Sequence, residues 1–306
     1  MTLFVIGNVT EDIVFGLPRL PSDGETLIAV SRIVDIGGKG LNQALMAARS
    51  GMKVRLITAI GRDDPGRRAR DLIAAEPFDA VLIEKDTATD QSIIAVAQSG
   101  ENRIISSAFS ASALSATEVI AAIDDAVSGD QLLMQGNLSH ATTLDVLQWA
   151  RGRGLRTTVN PSPIRWDYDR IWPLVDRVIL NRTELHALTG CTEVDDGIAA
   201  LAVRGLSEII VTLGADGAVL VAGDGRTVVT AAMAKVVDTA GAGDTFCGVF
   251  IAAEYLLQDS TAAMQLAARA AAITIGRSGT WSAFPSTGEI TAIFGLTTKG
   301  INRGNR

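Results

Sequence analysis

From Thr117 onward the chain alternates between two periodicities, and this constrains the fold more than any other feature of its 306 residues. Short strand-like runs (Gln131 to Gln135, Arg156 to Asn160, Arg177 to Leu180, Glu208 to Leu213) are interleaved with helical stretches. Those stretches run from Thr117 to about Val127, Thr142 to Arg151, Thr183 to Leu188 and Ile198 to Arg204. A strand, a helix and a second such strand fold as a parallel pair with the helix across one face. The pattern predicts an α/β protein in three α/β/α layers with a mostly parallel central sheet. Leu3 to Gly7 and Val54 to Ile60 add core strands near the front, and helices follow at Gly40 to Arg49 and Arg67 to Ala75. Ala218 to Val221 and Thr227 to Thr230 read as an antiparallel edge, and Thr245 to Leu257 and Thr261 to Ile275 as two closing helices.

Three segments break this rhythm. Glu25 to Ile36 alternates β-branched and polar residues as one or two strands, and Ser99-Gly100-Glu101-Asn102 joins Gln91–Gln98 to Arg103–Ser107 as a hairpin. Together they predict a small β-sheet inserted in two pieces, about 10–36 and 88–110, that covers a site as a lid. The expected organisation is one domain over 1–306 carrying this lid. An exposed lid sheet favours a homodimer that pairs two lids.

Charge narrows the partners. With 27 basic and 34 acidic residues the net charge is −7, which argues against a nucleic-acid or anionic-membrane surface and leaves small molecules. Two cysteines, Cys191 and Cys247, and two histidines, His140 and His186, give no disulfide framework and no Cys/His metal site. No apolar run approaches the roughly 18 residues of a membrane span, and the expected location is cytoplasmic.

The chemistry concentrates in Asp238-Thr239-Ala240-Gly241-Ala242-Gly243-Asp244-Thr245-Phe246. Gly241, Ala242 and Gly243 let another molecule touch the backbone, and the helix behind them aims open N–H groups and its positive dipole end at one spot, which suits an anion. Asp244 beside that spot reads either as a helix cap or as a base that takes a proton from a hydroxyl while the N–H groups hold phosphoryl charge. Both roles are compatible. A Rossmann fingerprint would need glycine where Phe246 stands, and no Walker A string occurs. Near the front, Gly37-Gly38-Lys39-Gly40 opens a helix whose glycines allow close ligand approach, with Lys39 and Asn42 in its first turn. Asn8, Thr10 and Asp12 follow the first strand at its carboxyl end, where open α/β sheets bind ligands, although turn chemistry also accounts for Asn8 and Thr10.

Gly37-Gly38-Lys39-Gly40-Leu41-Asn42-Gln43-Ala44 and the Asp238–Phe246 stretch together resemble the two signatures of the ribokinase family, the phosphofructokinase-B type of sugar kinase. Asn160-Pro161-Ser162-Pro163, Asn181-Arg182-Thr183-Glu184 and Thr212-Leu213-Gly214 resemble its remaining landmarks in the same order. The likeness covers nearly the whole chain. It implies the three-layer fold with a β lid, and transfer of the ATP γ-phosphoryl group to a hydroxymethyl of a ribose-like sugar or a nucleoside.

By resemblance, Asp244 is the base, and the backbone of Gly241, Ala242 and Gly243 the anion hole. Asn181 and Glu184 serve phosphates and Mg²⁺, partly through water, and Thr212, Gly214 and Gly243 serve the nucleotide. Glu184 reads equally as a first-turn helix acid. Asp238, Ala240, Arg277 and Gly279 match the surroundings of a monovalent cation, usually K⁺, although Ala283 stands where a hydroxyl is often found. Asp12, Gly38, Lys39 and Asn42 match ribose-contacting positions. Thr10 and Asn137 depart from the family's Asn and Glu, so an acceptor other than ribose is expected. Lys39 favours a free sugar over a nucleoside. A non-catalytic sugar sensor is the alternative of another class, set against the intact Asp244 and Asn181/Glu184 pair, and a dehydrogenase lacks its fingerprint.

Overall fold

The computed structural model describes residues 1–295; residues 296–306 of the expected domain lie outside it. β1 (Leu3–Ile6) enters the centre of the main sheet. The chain leaves it for β2 (Thr10–Leu17) and β3 (Ser31–Gly37), then returns through α1 (Lys39–Arg49) to β4 (Val54–Gly61), α2 (Asp64–Ala74) and β5 (Asp79–Lys85). A second excursion makes β6 (Asp90–Ala97) and β7 (Asn102–Ser106), and the short helices α3 (Phe109–Ser112) and α4 (Ala116–Ala122) lead to β8 (Gln131–Gln135). Next come α5 (His140–Gly152), β9 (Arg156–Asn160), β10 (Arg177–Asn181), α6 (Arg182–Thr189), α7 (Val194–Val203) and β11 (Glu208–Thr212). β12 (Ala218–Ala222), β13 (Gly225–Val229), α8 (Ala242–Leu257), α9 (Ser260–Ile275) and α10 (Thr287–Ile293) complete the described chain.

The main sheet has nine strands in the order β13-β12-β11-β10-β9-β8-β1-β4-β5. From β5 to β11 neighbours run parallel, and β12 and β13 are antiparallel. All four residues of β1 are buried, which is why the strand is continuously apolar rather than alternating. Leu3 and Val5 face Leu41, Leu45, Phe250 and Met264 of α1, α8 and α9. Phe4 and Ile6 face Val119, Leu147, Leu185 and Leu201 of α4 to α7. Each such side chain contributes about 1.5–3 kcal/mol on leaving water, so the two faces hold the three layers together.

β3-β2-β6-β7 form a separate four-stranded sheet. Its strands fall inside the two expected inserts, with differences. Residues 25–30 carry no strand, and β3 starts at Ser31. Thr10 and Asp12 belong to β2 rather than to a loop. The helix expected to reach Val127 ends at Ala122. β5, α3 and α10 had no clear signal: β5 is an edge strand of half-buried residues, and the two helices span 4 and 7 residues.

Candidate active site

From β1 the chain builds outward through β4 and β5 on one side and through β8 to β11 on the other. Crossovers therefore leave β1 and β8 in opposite directions, and a crevice opens at their carboxyl ends. A cavity of about 650 Å³ lies there, bounded by β2, β6 and β7, the start of α1, the residues after β8 and the start of α8.

α1 reaches this crevice because its first turn lacks side-chain bulk. A Cβ on Gly40 would lie 2.6 Å from the Gly7 Cα, and one on Gly38 (φ +105°) would lie 2.7 Å from the Asn8 oxygen. The missing side chains let the chain's own backbone after β1 pack against Gly38 and Gly40, a use of these glycines that the sequence did not disclose. The contact carries Lys39, Asn42 and Gln43 over the crevice, and Gly38 still lines the cavity.

Gly241 (φ +76°) is the N-cap of α8, and no side chain caps the helix. The first intrahelical bond runs from Thr245 N–H to the Gly241 oxygen at 2.9 Å, and Ala242 N–H reaches Thr239 O only at 3.4 Å. The N–H groups of Gly243 and Asp244 stay open, as a helix start requires unless something else accepts them. A Cβ on Gly243 would meet nothing within 4 Å, so free space lies beside this turn. These groups form a cradle for an anion.

Asp244 does not cap. It is the third residue of α8, and its carboxylate turns toward α1, where Oδ2 accepts the Asn42 Nδ2 and Oδ1 the Gln43 Nε2, both at 2.9 Å. Lys39 Nζ stands 3.7 Å from Oδ1. Burial alone would lower the Lys39 pKa, but the carboxylates of Asp244 and Glu184 outweigh it and move it upward. Gln43 is itself held, accepting Gln135 Nε2 at 2.8 Å and donating also to Asn160 Oδ1 at 3.1 Å. Asn160 donates in turn to Ile179 O at 2.8 Å. An amide chain thus links the ends of β8, β9 and β10 to Asp244. Sequence reading missed Gln43 and Gln135; the available signal was two consecutive amides, Asn42-Gln43, inside an otherwise apolar helix.

On the small sheet, Asp12 accepts the Thr10 hydroxyl at 2.7 Å, and both residues line the cavity. Burial pushes the Asp12 carboxyl up to about 6, against the opposing hydroxyls of Thr10, Thr280 and Ser92. Asn137 lies beyond β8 with its Oδ1 buried and unpartnered among the described residues. Asp12, Thr10, Gly38, Lys39, Asn42, Asn137, Ala240, Gly241 and Asp244 therefore share one cavity.

The remaining expected residues lie elsewhere. Asn181 and Glu184 form a reciprocal capping box on α6: Asn181 Oδ1 accepts Glu184 N–H at 2.8 Å, and Glu184 Oε2 accepts Asn181 N–H at 2.9 Å. Thr212 is paired with Asn181 across β10 and β11, and Gly214 follows, so these four mark the carboxyl edge beyond β9. Asp238 is buried, with Oδ1 accepting Ala240 N–H at 2.9 Å. Its own N–H points to Ile275 O, close to Arg277, whose guanidinium turns away to Glu289. Gly279 packs beside Ser282. No group of three or more His, Cys, Asp or Glu among the described residues gathers for a metal.

A family model described as pfkB family carbohydrate kinase matches residues 2–287. The chain is 32% identical to the ribokinase of Haemophilus influenzae, over 94% of this chain and 96% of that protein. It is 31% identical to the deoxyribokinase of Salmonella typhi over the same shares. The solved structure of ribokinase from Cryptococcus neoformans in complex with ADP aligns with a TM-score of 0.81 at 27% identity, covering 95% of this chain and 98% of that one.

Proposed function

The chain belongs to the pfkB family of carbohydrate kinases and is an ATP-dependent sugar kinase, and from this premise we propose how its residues divide the reaction. The observation that carries the reading is Asp244, held by Asn42 and Gln43 beside the open N–H groups of α8, in the same cavity as Thr10, Asp12 and Asn137. Asp12, Asn42, Lys39 and Asn137 bind the acceptor sugar and direct one hydroxymethyl toward Asp244. The Asp244 carboxylate takes its proton as the acceptor oxygen bonds to the γ-phosphorus and the bond to ADP breaks. The backbone of Gly241, Ala242, Gly243 and Asp244 stabilises the charge on the transferred group.

The nucleotide extends along the edge marked by Asn181, Glu184, Thr212 and Gly214. Mg²⁺ would neutralise phosphate charge there. Glu184 keeps Oε1 outside the capping box, and the absence of an acidic cluster among the described residues fits a Mg²⁺ held chiefly by phosphate and water. Asp238 and the carbonyls of Ala240, Arg277 and Gly279 are the groups for a monovalent cation such as K⁺; without a hydroxyl at Ala283 the fit is incomplete.

The small sheet acts as a lid over the sugar, and two lids pair in a homodimer. A cytoplasmic location, where ATP is supplied, fits this reading. The acceptor is not fixed by similarity, because a ribokinase at 32% identity and a deoxyribokinase at 31% are both among the relatives. With Thr10 donating to Asp12 and an amide at 137, we expect a sugar other than ribose to give the higher kcat/KM.

ADP release with a panel of sugars tests the reading. Asp244→Asn should lower kcat by the 10²–10⁴-fold typical of a lost general base while ATP still binds. A variant that keeps more than about a tenth of wild-type kcat removes Asp244 from that role.

A further inference from the structure

The acceptor cavity contains a cation that the scheme above leaves unused. Arg165 lines it, and its Nη1 is fixed by the Asn137 backbone oxygen at 2.7 Å and the Ser112 hydroxyl at 3.2 Å. Arg165 is an exposed residue, and among the described residues its Nε and Nη2 have no protein acceptor and no carboxylate lies within 4 Å, so these donors face water. Arg49 and Arg55 are also anchored to backbone carbonyls, at Pro285 and Ala122, but they complete their forks on Glu76 and Asp125. Lys39, the other cation on the cavity wall, faces Asp244. Arg165 is therefore a guanidinium anchored through Nη1, with the three N–H donors of Nε and Nη2 unmatched among the described residues.

Its anchor is also informative. The residue whose backbone holds Arg165 is Asn137, which is 4% exposed and carries a buried Oδ1 without a partner among the described residues. At this end of the cavity the polar groups are amide, hydroxyl and guanidinium. The two cavity carboxylates lie elsewhere, Asp244 against α1 and Asp12 against Thr10 and Gly37. A neutral sugar would leave the Arg165 fork hydrated. An anionic group would meet a pre-oriented bidentate donor with no carboxylate beside it to repel it.

We infer that the acceptor carries an anionic oxygen group, a carboxylate or a phosphate, at the end remote from its reacting hydroxymethyl, and that Arg165 receives it. The inference rests on the kinase reading and names the substrate class of the same site. Arg165 sets specificity and leaves the proton transfer to Asp244.

The test compares kcat/KM for three sets of acceptors: neutral sugars (D-ribose, 2-deoxy-D-ribose, D-xylose), their carboxylate counterparts (D-ribonate, D-xylonate) and a sugar phosphate with a free hydroxymethyl (α-D-ribose 1-phosphate). Wild type should prefer one of the anionic sets, and which set it prefers identifies the group. In Arg165→Gln the ratio of anionic to neutral kcat/KM should fall ten- to a hundredfold, the range for a lost charge-assisted hydrogen bond, through KM rather than kcat, with partial recovery in Arg165→Lys. A neutral sugar as best acceptor, with a ratio that moves less than threefold in Arg165→Gln, overturns the inference and leaves the kinase reading intact. If no acceptor elicits ADP release, the kinase reading fails, and calorimetry with D-ribonate and ribose 1-phosphate decides the inference separately. Binding that is lost in Arg165→Gln keeps it; no binding, or binding indifferent to that change, sinks it.

Discussion

Gln43 shows how a residue that never meets substrate can set the geometry of one that does. Its amide supplies one of the two side-chain amide donors to Asp244 while it holds Gln135 and Asn160. Gln43→Leu should lower kcat about a hundredfold, the cost of roughly 1 Å of misplacement, with the KM for ATP unchanged. It should also lower stability by about 1–3 kcal/mol, because two buried amides lose a partner. Unaltered kcat would mean that Asn42 alone positions the carboxylate. Asp12 makes a pH prediction. Its carboxyl is raised from 3.8 to about 6, so between those values the folded chain holds a proton that the unfolded chain has released. Stability from this group therefore falls as pH rises through that window, by about 3 kcal/mol in total. Asp12→Asn should stabilise the ligand-free protein at pH 8 and gain little at pH 4.5, read by urea unfolding. A gain of equal size at both pH values would refute the raised carboxyl.

α6 poses a question of scale, since Glu184 is a structural cap in the fold and a phosphate-side acid in the proposed reaction. Glu184→Gln separates the two, because glutamine keeps a capping box while losing the charge. Stability should stay within about 0.5 kcal/mol of wild type. The Mg²⁺ concentration for half-maximal activity should rise severalfold. If stability falls and the Mg²⁺ titration does not move, Glu184 is a helix-start acid only.

At the level of the molecule, the small sheet has one face toward the cavity and one facing out. Asp12, Ser92 and Ser106 are aligned across three of its strands on the inner face, so the adjacent register Val34, Ile13, Ile93 and Ile105 projects outward. Ile93 is 47% and Ile105 73% exposed, an apolar stripe that water disfavours unless a second copy covers it. Light scattering should give twice the 32.0 kDa chain mass for wild type. Ile93→Asp with Ile105→Asp should give a monomer with a higher sugar KM, because the lid loses its support. A wild type that is monomeric at all concentrations removes the pairing.

The alternation after Thr117 determined the layers and the parallel sheet, because a buried strand and a helix leave different periods in a chain. β8 and β9 have the bounds that this alternation predicts. The glycines and Asp244 were legible for the same reason: backbone conformation and charge are local properties. Three things were decided only by the tertiary structure. Asp244 could be a cap or a base until its carboxylate was seen turned to α1, 202 residues away in the chain at Asn42. That Gly38 and Gly40 also let the helix pack on the backbone of Gly7 and Asn8 was visible only once these were seen in contact. Arg165 and Gln135 carry no local mark, and Gln43 only the amide pair it makes with Asn42 in an apolar helix, since what distinguishes them is which atoms of distant strands end up within hydrogen-bonding distance. A sequence records periodicity and chemistry residue by residue, whereas a site is a set of distances between residues far apart in the chain, and those exist only once the sheet has closed its crevice.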